Sequence, residues 1–109
     1  MQILNIRVSR SMVDVTSYGD AQARYIPGEQ TLTCCVRLAR PMLPGELLTV
    51  DHIQEVDGAP SVLINGRLIV REVNGLDAQC RSIGAVEVRE ASVEDIIRHR
   101  VRKIRGEES

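Results

Sequence analysis

The chain has 109 residues, 14 basic and 15 acidic, for a formal net charge of −1. No overall field draws it to nucleic acid, an anionic membrane or an acidic substrate, so any partner must be recognised locally. The length suits one small domain with one core, and with no Phe or Trp and only two tyrosines, Tyr18 and Tyr25, that core must be built from Val, Ile and Leu. A core so thin in large side chains stands to gain from burial against a partner.

The start, Met1 to Asn5, lacks the charged region and continuous apolar stretch of a signal peptide, and runs such as Val62-Leu63-Ile64 are too short to span a bilayer. Synthesis in the cytoplasm and no membrane association are therefore expected. From Ile3 to Arg10 the residues alternate, with Leu4, Ile6 and Val8 on one face and Ile3, Asn5, Arg7 and Ser9 on the other, the two-residue period of a strand. Met12 to Thr16 either continues this strand after a bulge or forms a second one, ahead of a turn signal at Ser17 to Asp20.

Ile26-Pro27-Gly28-Glu29 and Leu43-Pro44-Gly45-Glu46 share one turn chemistry. Proline sets φ for the first central position and glycine supplies the positive φ of a type II turn at the second. Strands are expected after each, over Thr31 to Leu38 and Leu47 to Val50. Cys34 and Cys35 are adjacent within the first of these, which puts their side chains on opposite faces. With Cys80 they read as small, mostly buried thiols with no CxxC spacing between them.

Asn65-Gly66, between the β-rich runs Ser61 to Ile64 and Arg67 to Val73, predicts a type I′ hairpin turn. Asn74-Gly75 suggests another turn, and Ala78 to Glu90 reads as one long strand or as two broken at Gly84. The period changes at Ser92, where Ser92-Val93-Glu94-Asp95 has the form of a capping box with Asp at its last position. A helix over 92–105 follows, with Val93, Ile97, Val101 and Ile104 on one stripe expected to cover a sheet, and with acidic and basic residues at the ends that suit them. Gly106 is the expected stop, and 107–109 the expected disordered tail.

The result is a mainly β domain over 1–106, of six to eight short strands and one C-terminal α-helix. It is read as a small antiparallel β-sandwich or barrel.

Chemistry is sparse. Glu46, Asp51, His52, Glu55 and Asp57 form the densest set of candidate ligands, but the Asp57-Gly58-Ala59-Pro60 turn marks their segment as a solvated connection. Neither His52 nor His99 sits in a local nucleophile signature, and no phosphate-cradling glycine loop occurs. No catalytic, cofactor or metal residue is assigned, and no enzymatic role. Five basic residues crowd the segment from Arg98 to Arg105, and Arg98, Arg102, Lys103 and Arg105 are candidate contacts to nucleic acid or a partner. Acidic neighbours and the lack of stacking aromatics favour a solvated face or a protein interface.

Asp14, Thr16, Gly19, Asp20 and Gly28, followed by the alternating strand from Thr31, resemble a pattern found in tail tube proteins of tailed bacteriophages. The resemblance covers about Val8 to Leu38. It implies a β-sandwich with a flanking helix, assembled into hexameric rings that stack around a channel for DNA, with further copies and other virion proteins as partners and DNA nearby without specific contacts. On this reading Asp14, Thr16, Tyr18, Gly19, Asp20, Tyr25, Pro27 and Gly28 form a turn motif that shapes a contact between subunits or rings, and exposed strand edges pair between subunits. For the two tyrosines, packing at the edge of the core is the other reading. A head–tail joining or baseplate component would have the same features.

Asp14 to Gly19 is also similar to the D/N-x-S-x-x-G element of PilZ domains that bind cyclic-di-GMP, although Arg7 and Arg10 stand one residue too close for the RxxxR pair of that family. The expected function is that of a non-enzymatic virion structural protein that self-assembles; the alternative is a small soluble β-domain that binds a ligand or host protein.

Overall fold

The structure, a computed structural model, describes residues 1–10, 18–55 and 57–108, with side chains as far as Val101. Six strands precede one helix: β1 (Gln2–Ser9), β2 (Tyr18–Ile26), β3 (Thr31–Arg37), β4 (Leu47–Gln54), β5 (Val62–Asn74), β6 (Asp77–Glu90) and α1 (Val93–Glu108). The strands close into a barrel in the order β1-β2-β3-β6-β5-β4, with every neighbouring pair antiparallel. The chain is mainly β with one C-terminal helix, and of the two architectures read from the sequence it adopts the barrel.

Two three-stranded meanders, β1-β2-β3 and β4-β5-β6, meet at two seams. The β3–β6 seam runs from Thr33 opposite Arg81 to Arg37 opposite Asp77. The β1–β4 seam is limited to Val8 opposite Val50 and Ser9 opposite Thr49. Beyond it, the Asn5 amide donates to the Gln54 side-chain carbonyl at 3.0 Å, so a side chain continues where the ladder stops. Closure gives every strand two neighbours, but an unpaired edge remains along β1 before Val8 and along β4 after Val50, where this seam stops.

Alternation fills the interior. Leu4, Ile6 and Val8 from β1 meet Leu32 and Val36 from β3, Leu48 and Val50 from β4, Ile64, Leu68 and Val70 from β5, and Val86 from β6. Burying one such side chain contributes about 1.5–3 kcal/mol, so many close-fitting aliphatics replace the missing large aromatics. Tyr25 joins them at 5% exposure, which assigns it to the core rather than to a subunit contact.

Several local expectations yield to tertiary pairing. Asn65-Gly66 is not a hairpin turn: β5 runs straight through it and pairs with β4 on one side and β6 on the other. Folding β5 back at that point would strand its neighbours without partners. Gly66 instead makes room for Val86, whose Cγ2 would lie 3.0 Å from a Cβ there. Opposite it, β6 bulges around Gly84 (φ 69), and the Val86 amide reaches out to donate to the Gln30 carbonyl at 2.9 Å. The real β5–β6 turn is Gly75-Leu76, with positive φ at Gly75 only and Asn74 opposite Asp77, the pattern of a type II′ turn.

The two Pro-Gly turns also differ. Gly45 has φ 88 and the Glu46 amide donates to the Leu43 carbonyl at 3.0 Å, as a type II turn requires. In the first turn the Glu29 amide donates to the Ile26 carbonyl at 3.2 Å, but Gln30 rather than Gly28 has the positive φ, at 54. That turn is therefore type I followed by one left-handed residue, which returns the chain to pair Thr31 with Ile26.

Tyr18, Gly19 and Asp20 open β2 opposite Ser9, Val8 and Arg7, so they are strand and not turn. Likewise β4 extends to Gln54 and carries Asp51 and His52, so these two residues are strand and not the solvated connection expected from the turn at Asp57. The helix continues to Glu108, past the expected stop at Gly106 and into the expected tail.

Candidate functional site: the outward face of the terminal helix

The helix begins as its sequence predicts. The Asp95 amide donates to Ser92 Oγ at 3.2 Å while the Ser92 amide donates to Asp95 Oδ2 at 2.9 Å, a reciprocal capping box. Asp95 also receives Arg89 Nη1 at 2.7 Å and Nη2 at 3.2 Å, and the same guanidinium donates through Nε to Glu87 at 2.9 Å. The Arg89 guanidinium, then the Ser92 donors, hold the Asp95 carboxyl far below the usual carboxylate range. Arg89, which ties the end of β6 to the start of α1, has no signature in the sequence.

Further along, His99 meets His52 of β4 edge to face, with ring centroids 6.4 Å apart and planes at 80°. Burial first, and His99 next, lower the His52 pKa. Arg100 lies 3.7 Å from Glu55, both side chains exposed. Among the described side chains of α1, Asp95, Ile96 and His99 are thus turned toward the barrel, each at least partly buried.

The opposite side is apolar. Val93, Ile97 and Val101 are 73%, 56% and 41% exposed, and their spacing places them within an arc of roughly 80° on the helix surface. The stripe that was expected to cover the sheet faces away from it. The cause is the capping network: Arg89 and Ser92 fix the rotation of the first turn through Asp95, and the Val93 stripe then has to point outward. Arg98 is exposed beside this stripe; the side chains of Arg102, Lys103 and Arg105 lie outside the described residues.

The residues of the turn motif do not converge into a site. Asp14 and Thr16 lie outside the described residues. Tyr18 is exposed, with the Arg7 guanidinium 4.1 Å above its ring, and Arg7 Nε donates to Asp20 at 3.0 Å. Gly19 is buried in β2, Tyr25 is in the core, and Pro27 and Gly28 sit exposed at the β2–β3 turn. Arg10, the other arginine of the PilZ comparison, stands 3.0 Å from Glu46 and donates to the Pro41 carbonyl. Both arginines are therefore engaged by their own chain.

Among the described residues no group of three or more His, Cys, Asp or Glu converges as metal ligands, and no helix is long and apolar enough to cross a membrane. An open cleft of about 870 Å³ lies over the outer face of the sheet, with Arg24, Arg71 and Arg81 in its lining. Cys34 and Cys80 also line it. Comparison with known proteins gives no match to any family model, curated protein or solved structure.

Proposed function

We propose that the chain is a non-enzymatic structural protein of a tailed-phage virion, tail tube-like, that assembles with copies of itself through the outward face of α1. The carrying observation is the unpartnered stripe of Val93, Ile97 and Val101. Full burial of a Val or Ile is worth about 1.5–3 kcal/mol, so the exposed fractions leave about 2.5–5 kcal/mol of burial unused per copy. Doubled across a symmetric pair, this is similar to the about 4–15 kcal/mol that association costs, so the contact is marginal alone; being two-fold it closes at a dimer, and a ring needs a second contact between such pairs.

Charge favours an antiparallel arrangement. The first turn of α1 is acidic, with Glu94 and Asp95, while Arg98, Arg100, Arg102, Lys103 and Arg105 follow. Antiparallel helices bring the exposed Glu94 toward the basic half of the partner, whereas parallel helices set like charge against like. Further support comes from the aliphatic core and from the resemblance around Gly19, Asp20 and Gly28, which implies a β domain with a flanking helix that forms rings.

Light scattering over a range of concentrations, with electron microscopy of the purified chain, tests the reading. Wild type should form oligomers, rings or tubes, and Ile97→Asp should shift them to monomer without changing the circular dichroism spectrum. A wild-type chain that stays monomeric up to sub-millimolar concentration, or oligomers indifferent to Ile97→Asp, would overturn it.

A further inference from the structure

Cys34 and Cys80 are Cα partners across the β3–β6 seam. Both face the interior: Cys80 belongs to the buried core and Cys34 packs against it. Directly opposed residues in an antiparallel pair stand about 4.5–5.5 Å apart at Cα, within the range of about 4.4–6.8 Å over which a disulfide closes. The thiols also perturb each other. Cys34 is pushed up by its interaction with Cys80 and then by burial, while Cys80 is brought down by Cys34 against the effect of its own burial. Cys35 stands apart, exposed and opposite Gln79.

The position of the pair gives it a consequence. With the β1–β4 seam limited to Val8/Val50 and Ser9/Thr49, closure of the barrel depends mainly on β3–β6. A covalent bond from Cys34 to Cys80 would join the two meanders within that seam, one pair in from its Thr33/Arg81 end.

We propose that Cys34 and Cys80 form a redox modification site, a dithiol that a small-molecule disulfide converts to a cross-strand disulfide locking the barrel closed. Cys80, whose pKa Cys34 lowers and which lines the open cleft together with Cys34, attacks as thiolate one sulfur of the oxidant. The oxidant S–S bond breaks, a mixed disulfide forms at Cys80, and one thiolate leaves. Cys34, no longer facing a thiolate, then loses its proton, attacks the Cys80 sulfur and expels the second thiolate. The two protons lost by the protein are taken up by the two leaving thiolates, so one oxidant disulfide is reduced to two thiols as the protein dithiol is oxidised. The inference rests on strand register and is independent of the assembly reading.

The test uses the full chain carrying Cys35→Ser, an exposed substitution that removes the third thiol, incubated with reduced or oxidised glutathione. Oxidation should abolish alkylation at both remaining cysteines, remove the mass of two hydrogens, link the Cys34 and Cys80 peptides and raise the unfolding temperature, all reversed by dithiothreitol. Adding Cys34→Ser should abolish the linked peptide and the thermal gain. Two thiols that remain alkylatable after prolonged oxidation, or a stable glutathione adduct in place of the link, would overturn the site. A link without a rise in unfolding temperature would overturn the lock.

Discussion

Gly19 and Gly28 belong to the same sequence motif, yet replacing each by alanine should have opposite effects. A Cβ on Gly19 would lie 2.3 Å from the Arg37 carbonyl oxygen, 3.0 Å from Leu38 Cδ2 and 3.1 Å from Val36 Cγ2. Ordinary contact would require the β2 and β3 backbones to separate by about 1 Å at a buried position, and strain of this overpacking kind costs about 1–3 kcal/mol. For a domain of this size, each kcal/mol lowers the melting temperature by about 4–8 °C. Gly19→Ala should therefore melt about 4–24 °C below wild type, and Gly19→Val lower still.

At Gly28 a Cβ meets nothing within 4 Å, and the residue does not have positive φ. Gly28→Ala should be neutral or stabilise by about 0.4–1 kcal/mol through the unfolded state. Thermal melts followed by circular dichroism, with urea titrations to check that the slope is unchanged, measure both variants. If Gly19→Ala lies within a few tenths of a kcal/mol of wild type, the close approach to Arg37 does not constrain the fold and the reasoning fails.

Ser82 accepts the buried Leu32 amide at 2.9 Å, just beyond the end of the β3–β6 ladder. Ser82→Ala should destabilise by about 1–3 kcal/mol because it leaves that donor unsatisfied, seen as a lower urea midpoint at constant slope. The lowered pKa of His52 makes stability fall on acidification: the unfolded state binds the proton first, so stability is full above the ordinary histidine pKa of about 6.5 and declines as pH drops from there toward the folded value. His52→Gln should flatten this part of the pH profile, and a profile unchanged by the substitution would remove His52 from the account.

The strand class, the inward set Leu4, Ile6 and Val8, the type II turn at Gly45 and the Ser92–Asp95 capping box were all legible in the sequence. Each depends on backbone geometry or hydrogen bonds within a few residues, which local residue types determine. Where a local preference met a long-range partner, the partner prevailed. Asn65-Gly66 has strong turn chemistry, but β4 and β6 flank it and Val86 needs the space above Gly66. Gly19 falls in the turn signal at Ser17 to Asp20, whereas the close approach of the Arg37 carbonyl, eighteen residues away, is what excludes a side chain there.

The candidate site shows the same division. Periodicity identified the Val93, Ile97 and Val101 stripe but could not tell which way it faces; the Arg89–Asp95 contact, made between β6 and α1, turns it outward. The Cys34–Cys80 pair became visible only through the register of β3 against β6. Residue order by itself determined where the chain is extended, where it turns sharply at Gly45 and where its helix starts, because those follow from short-range sterics and hydrogen bonding. Only the closed barrel decided which strands are neighbours, which glycines are indispensable and which face of the helix is left bare, because those depend on atoms far apart in the chain competing for the same space.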